Sequence, residues 1–149
     1  TPYMDGVTPA TIAGLRLGTS RGELFRAFLE GEAYEMMLNI ECLRAVGIDI
    51  QKVVTVGGGS NSKLWMQIRA DVFGRPVYLP ENKEAGTLAS AMLCYTGTGR
   101  YSSVREAQKA MIRYEDPFTP RPSVTEAYRP HYARYKKFYG AVRELFALD

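Results

Sequence analysis

Residues 52–73 read KVVTVGGGSNSKLWMQIRADVF, and this stretch decides the fold class. Its first five residues are mostly β-branched and apolar, which predicts a buried strand. Three glycines and three small polar residues follow as a loop at positions 57–62. Apolar residues then recur at helical spacing over residues 64–73, and Gly74 marks the end of the predicted helix. A strand that leads through a glycine loop into a helix is typical of an α/β domain.

A long amphipathic helix is predicted before this stretch. Ser20, with Glu23 three residues later, forms a capping-box pattern at its start, and Gly47 is the candidate for its end. Its predicted apolar face consists of Phe25, Leu29, Met36, Ile40 and Leu43. Glu32 interrupts that face without a reason visible in the sequence. Upstream, residues 11–17 (TIAGLRL) predict a short strand that ends in a turn at Gly18.

The alternation of strands and helices continues downstream. A strand is predicted over residues 75–79, and a helix over 85–96 whose small residues would let it pack closely on a sheet. Two more helices are predicted over residues 104–112 and about 126–148, separated by an irregular connector with three prolines. Strands that alternate with helices predict one α/β domain over residues 1–149, with a largely parallel sheet.

Composition excludes several classes of protein. The chain has 149 residues, 46% hydrophobic and 23% charged, which is ordinary globular composition. Its net charge is 19 − 16 = +3, too weak to indicate nucleic-acid binding. The longest uncharged stretch, residues 85–99, is shorter than the ~20 apolar residues of a membrane helix. Two cysteines argue against a disulfide framework and favour a cytoplasmic location. The first residues do not form a signal peptide and are typical of the middle of a longer chain.

The glycine loop at positions 57–62 has two interpretations. Three glycines leave the backbone open to a ligand, and the N-terminus of the following helix favours an anion, as in a phosphate or nucleotide cradle. Alternatively, the loop is a tight turn that needs glycine for its geometry. A Walker loop is excluded because no Gly-Lys-Ser/Thr follows, and the spaced glycines of a dinucleotide fingerprint are absent.

The other polar residues indicate little catalytic chemistry. The helical carboxylates are expected to be solvated surface charges: Glu30, Glu32, Glu35 and Glu41. Asp71 and Glu84 are isolated in the sequence, so no acid/base pair is recognised and no catalytic residue is assigned. His131 is the only histidine and is expected at the surface, which leaves no metal site of familiar spacing.

The C-terminal segment interleaves basic and aromatic residues between Tyr128 and Arg143. Such a pattern occurs in nucleic-acid-binding proteins. It also occurs in a docked helix whose tyrosines pack inward while Lys and Arg stems lie along the surface. The small net charge favours the docked helix.

Several strings together resemble the C-terminal domain of the FGGY family of carbohydrate kinases, and its xylulokinase branch most of all. They are TPYMD (1–5), GL (14–15), RAFLEG (26–31), GGGSNSKLWMQIRAD (57–71) and EAG (84–86). The resemblance implies a ribonuclease H-like (actin-like ATPase) domain with helices packed on a mixed, largely parallel sheet. It also implies that ATP and a sugar bind in a cleft between this domain and an N-terminal one.

The resemblance assigns the glycine loop to the adenosine and α-phosphate of ATP, and it places the turn at Gly18 where relatives approach the nucleotide. The residues assigned to the nucleotide are Gly57, Gly58, Gly59, Ser60, Ser62 and Gly18. Gly59 is expected to be the most sensitive of them. The resemblance implies that the family's catalytic aspartate and most of its sugar-binding residues lie upstream of this sequence.

By this resemblance the parent enzyme transfers the γ-phosphoryl group of MgATP to a sugar hydroxyl, most simply that of a ketopentose such as xylulose. The partners expected are ATP with Mg²⁺, the sugar and the enzyme's own N-terminal domain, without nucleic acid or membrane. The 149-residue chain alone is expected to be inactive. A non-catalytic actin-like nucleotide-binding or assembly module stays open as the alternative, as does a homodimeric state.

Overall fold

The computed structural model describes residues 3, 5–6 and 8–146 of the chain. Within them the chain forms a helix-rich α/β structure. Its elements in order are α1 (Arg21–Ala45), β1 (Val53–Val54), a 3-10 helix (Gly58–Asn61), α2 (Lys63–Phe73), β2 (Val77–Tyr78), α3 (Ala85–Gly97), α4 (Val104–Met111) and α5 (Pro122–Phe146). None of these helices is both long and apolar enough to span a bilayer.

The two strands form a small parallel sheet in which Val53 lies opposite Val77. In the described part of the chain β1 has β2 as its only partner. The connector (residues 113–121) covers the other edge of β2, where Phe118 forms an antiparallel bridge with Val77. The predicted strands at 52–56 and 75–79 are therefore confirmed in position, although each is only two residues long.

Helix α2 lies at the centre of the hydrophobic core, because α1, α5 and β2 all contact it. Seven of its residues are buried, among them Met66, Ile68 and Phe73. Ser62 caps its start, and Gly74, the predicted stop of the helix, has the left-handed conformation. Helix α1 contributes four more buried core residues, which are Leu29, Ala33, Tyr34 and Ile40. Val77 of β2, Leu79 just after β2 and Tyr128 of α5 complete this core.

Helix α1 has the predicted capping box, in which Ser20 Oγ accepts the Glu23 N–H and the Glu23 carboxylate accepts the Ser20 N–H. Its predicted apolar face is only half buried. Leu29 and Ile40 lie in the core, whereas Phe25, Met36 and Leu43 are exposed. The buried side of α1 is instead completed by Ala33 and Tyr34.

Two sequence predictions are wrong in this structure. Residues 11–17 form no strand, and Ile12, Leu15 and Leu17 are exposed. A strand exists only where a neighbour shares its hydrogen bonds, and no described segment pairs with this one. Helix α3 packs against α4 rather than on the sheet, and its small residues Gly86 and Ala89 face solvent.

The last two helices agree with the sequence apart from their ends. Helix α4 covers the predicted residues except Ile112. Helix α5 begins at Pro122, four residues before the predicted start, because proline is well suited to the first turn of a helix. Leu148, the predicted end of α5, lies outside the described residues, as do Thr1, Pro2 and Met4 of the N-terminal string.

Candidate functional site

The glycine loop (Gly57–Ser62) connects the end of β1 to the start of α2. Gly57 has φ of +91°, a conformation that side chains other than glycine rarely adopt. The Ser60 N–H and its hydroxyl both donate to the Gly57 carbonyl, at 3.0 and 2.7 Å. Ser60 is therefore buried and turned into the loop, where it fixes the loop's own shape.

The C-terminal end of the loop caps α2. Ser62 N–H donates to the Gly59 carbonyl at 3.2 Å, and Ser62 Oγ accepts the Trp65 N–H at 3.3 Å. The N–H groups of the first turn of α2 have no partner within the helix and carry its positive dipole end. Lys83 Nζ donates to Asn61 Oδ1 at 3.0 Å and adds a positive charge beside the loop. These features together suit the binding of an anion.

The three glycines of the loop differ in whether the fold has room for a side chain at their positions. A Cβ on Gly59 would lie 2.6 Å from Cζ3 of Trp65, so the fold requires glycine there. Gly57 is required by its positive φ. A Cβ on Gly58 would meet no atom within 4 Å, and its φ is not in the left-handed region. The tight turn thus explains Gly57 and Gly59 but gives no reason for glycine at position 58.

Behind the loop, Trp65 and Arg69 stack on one face of α2. The Arg69 guanidinium lies 4.4 Å from the centre of the Trp65 ring. It donates to both carboxylate oxygens of Glu32, at 3.2 and 2.7 Å, and lies 3.5 Å from Thr55 Oγ1. Glu32 therefore interrupts the apolar face of α1 because it pairs with the buried Arg69. The sequence offered no local signal for this pair, since its two members are 37 residues apart.

Three further acidic residues of α1 bind α5. Glu30 accepts the Tyr128 hydroxyl at 2.8 Å, Glu35 accepts the Tyr135 hydroxyl at 2.7 Å, and Glu41 lies 3.3 Å from Lys136 Nζ. The prediction that these carboxylates are merely solvated charges is wrong, since they hold two helices together. No pair of them is arranged for acid/base chemistry. Residues across the interface could not be paired from sequence spacing alone.

The C-terminal helix is docked, as the sequence favoured. Tyr128, Tyr132 and Tyr135 surround the ring of Tyr34 with centroid distances of 5.4–6.1 Å. Burial raises the pKa of the Tyr34 phenol well above its ordinary value. The interleaved aromatic residues are thus explained by packing against α1.

Gly18 is the predicted nucleotide-binding residue outside the glycine loop. Gly18 occupies an exposed turn in which Thr19 N–H donates to the Arg16 carbonyl at 2.9 Å, and no described hydrogen bond joins this turn to the glycine loop. His131 is exposed, as expected, and both cysteines are free. No three metal-ligating side chains come together among residues 3, 5–6 and 8–146.

The chain is similar to known proteins in both sequence and structure. The model of the C-terminal domain of the FGGY family of carbohydrate kinases matches residues 1–97. A xylulose kinase of Bacillus subtilis is 29% identical over 145 residues, which are 97% of this chain and 29% of that protein. An autoinducer-2 kinase of Escherichia coli is 36% identical over 121 residues, which are 80% of this chain and 23% of that protein.

A solved structure gives the same result. The crystal structure of a xylulose kinase from Rhodospirillum rubrum superposes with a TM-score of 0.81 at 31% sequence identity. The superposition covers 92% of this chain and 28% of that one. The chain thus spans less than a third of the length of the relatives it matches.

Proposed function

The chain belongs to the FGGY family of carbohydrate kinases, whose C-terminal domain it matches, and from this membership we propose that its glycine loop holds ATP in a sugar kinase. Its fold is the ribonuclease H-like, actin-like ATPase fold of the kinases it superposes on. The proposed reaction of the parent enzyme is transfer of the γ-phosphoryl group of ATP to a sugar hydroxyl. The proposed sugar is a ketopentose of the xylulose type, the substrate class named in two of the three relatives above.

The open surroundings of Gly58 are the observation that supports the nucleotide assignment. The fold does not need glycine there, since a side chain would point into open space. The position is exposed, in the loop that precedes the N-terminus of α2, with Lys83 held beside it by Asn61. A glycine without a folding role at an anion-favouring helix end is explained by the close approach of a phosphate or nucleoside.

This chain would contribute binding rather than proton transfer. Phosphoryl transfer depends mostly on positioning and on stabilisation of charge, which backbone N–H groups at a helix end can supply. The acidic side chains of α1 already bind Arg69, α5 or the helix cap at Ser20, and no described residues form a metal site. Mg²⁺ is therefore proposed to arrive on the ATP phosphates, and the base on the hydroxyl is proposed to come from the rest of the parent chain.

The parent's own N-terminal domain is the proposed partner of the exposed apolar side chains near the start of α1. Leu17 is fully exposed, and Phe25 and Phe28 are 62% and 57% exposed. Phe25 and Phe28 lie one turn apart on α1, and adjoining exposed apolar side chains are typical of a protein–protein interface. The relatives are more than three times as long as the matched segment, so they have enough additional chain to form such a domain.

We assign the enzyme to the cytoplasm, where its ATP is available.

The activity is tested on the full-length parent with a coupled assay of ADP release. Pentoses, hexoses, glycerol and an autoinducer-2-type substrate are offered with MgATP. We expect activity with at least one of them, highest with a ketopentose. ATP binding without transfer to any acceptor would favour the non-catalytic module instead. Absence of both binding and transfer would refute the proposal.

The site is tested with Gly58→Val, because this change blocks the loop's outer side without a clash inside the fold. We expect the KM for ATP to rise about tenfold or more, equivalent to ~1.4 kcal/mol of binding free energy, with unfolding temperature unchanged. The control is Lys137→Ala at an exposed position of α5, which should alter neither. A normal KM for ATP in folded Gly58→Val would refute the nucleotide assignment.

A further inference from the structure

Trp65 supports the glycine loop from inside the protein. Three ring atoms, Cζ3, Cε3 and Cη2, lie 2.6, 3.3 and 3.4 Å from the position a Cβ on Gly59 would take. The loop backbone at Gly59 therefore rests directly on the six-membered part of the indole. Any movement of this ring would move the loop as well.

The ring itself is held from two further directions. The backbone N–H of Trp65 donates to Ser62 Oγ, and the Arg69 guanidinium lies 4.4 Å from the centre of the Trp65 ring. Arg69 is only 8% exposed and is fixed by the Glu32 carboxylate on α1 at 2.7 Å. A continuous series of contacts thus runs from α1 through Glu32, Arg69 and Trp65 to the loop.

We propose that Trp65 is the positioning residue of the nucleotide loop, and that position 59 is glycine because of Trp65 and not because of the ligand. This inference rests on the proposed binding of ATP at the loop. It separates the glycines by role: Gly58 leaves room for the nucleotide outside the loop, and Gly59 leaves room for the indole inside. Trp65 touches no substrate and acts through the loop backbone.

The two interpretations of Gly59 differ in the effect of a compensating change. Gly59→Ala places a methyl group where the indole now lies, so the loop must shift outward. Trp65→Leu removes the six-membered ring and leaves the loop without support. In the double variant the new methyl group occupies part of the vacated space, so the two changes should compensate. If Gly59 instead faced the nucleotide, shortening Trp65 would not relieve the defect.

The test is a double-mutant cycle in the full-length parent, with kcat and the KM values for ATP and sugar measured for each variant. We expect each single variant to raise the KM for ATP about fivefold and to leave the KM for sugar unchanged. The double variant should return to within about twofold of the parent. A double variant as defective as Gly59→Ala, or a Trp65→Leu enzyme with normal KM for ATP, overturns the inference.

Two further measurements show whether each variant is folded and whether the positioning role or the nucleotide site has failed. Thermal unfolding of every variant shows whether it is folded, and Trp65→Phe replaces Trp65→Leu in the cycle if the latter does not fold, with the same expected signs. Gly58→Val is measured in parallel. If it raises the KM for ATP while the cycle shows no coupling, the positioning role alone fails. If it has no effect, the proposed nucleotide site fails, and the inference fails with it.

Discussion

The Asp71 carboxylate is fully buried and accepts hydrogen bonds from both the backbone N–H and the guanidinium of Arg121, at 2.8 and 2.6 Å. Gln67 donates a third bond at 3.1 Å. These bonds join α2 to the end of the connector, 50 residues further along the chain. Asp71 is isolated in the sequence but not in the structure, where it fixes the start of α5 against the core.

Arg121→Ala is expected to destabilise the domain because it leaves a buried carboxylate without its cation. We expect the unfolding temperature to fall by about 5 °C or more. Adding Asp71→Asn should restore part of the loss, since the double variant no longer buries an unpaired charge. Differential scanning calorimetry of both variants tests this. The matched control is Asp116→Ala at an exposed connector position, and a double variant less stable than Arg121→Ala would contradict the explanation.

Glu32→Ala is expected to cost more stability than Glu41→Ala, although both remove a carboxylate from α1. The two carboxylates are almost equally exposed, at 37% and 36%. Their partners differ, because the Arg69 side chain that Glu32 binds is 9% exposed and the Lys136 side chain that Glu41 binds is 43% exposed. We expect a loss of about 2 kcal/mol in the free energy of unfolding for Glu32→Ala and less than about 1 kcal/mol for Glu41→Ala. Urea titrations give both values, and equal losses would show that burial of Arg69 is not the cause.

Tyr34→Phe is expected to extend the stability of the domain at alkaline pH. Burial raises the pKa of Tyr34 in the folded state, while in the unfolded chain it stays near ~10. The unfolded state therefore loses this proton first, so stability is full below about pH 10 and decreases as the pH rises above it. Phenylalanine keeps the ring contacts and removes this loss.

The measurement is a pH titration of the unfolding midpoint by circular dichroism. The alkaline transition of Tyr34→Phe should move to higher pH, with stability near pH 7 almost unchanged. Tyr95→Phe, at an exposed residue of α3, controls for the removal of a phenol. An unshifted alkaline transition in Tyr34→Phe would mean that other groups govern it.

The 149-residue chain by itself is expected to form no sugar phosphate from MgATP. Its acidic residues on α1 are engaged with Arg69, α5 or Ser20, and His131 lies exposed on α5. The measurement is detection of sugar phosphate by mass spectrometry after prolonged incubation. The full-length parent is the positive control, and product from highly purified chain would contradict the expectation.

Local signals in the sequence predicted the helices well. Ser20 with Glu23, and also Gly74, act where the sequence placed them, because caps depend on neighbouring residues only. The resemblance in the strings around residues 57–71 gave the family correctly. The close approach of the Trp65 ring to Gly59, by contrast, joins residues six positions apart, and no local rule for glycine includes such a contact.

The errors share one physical cause, which is dependence on distant partners. Residues 11–17 have strand-like composition, but a strand needs a neighbour for its hydrogen bonds. Glu32 was left unexplained because Arg69 comes 37 residues later. Gly86 and Ala89 suggested close packing on a sheet, but α3 contacts α4 instead. Composition and periodicity indicate which face of a segment is apolar, but they do not identify the distant segment that packs against that face.

The two-stranded sheet has a consequence for handling the isolated chain. Strand β1 pairs with β2 alone in the described part of the chain, and Val54 and Val56 beside that edge are 43% and 52% exposed. An unpaired edge flanked by apolar side chains is a template on which another copy can add its own backbone. Self-association of the isolated chain should therefore begin at this edge and grow with concentration. The concentration at which light scattering first rises would then measure how strongly the open edge attracts a further strand.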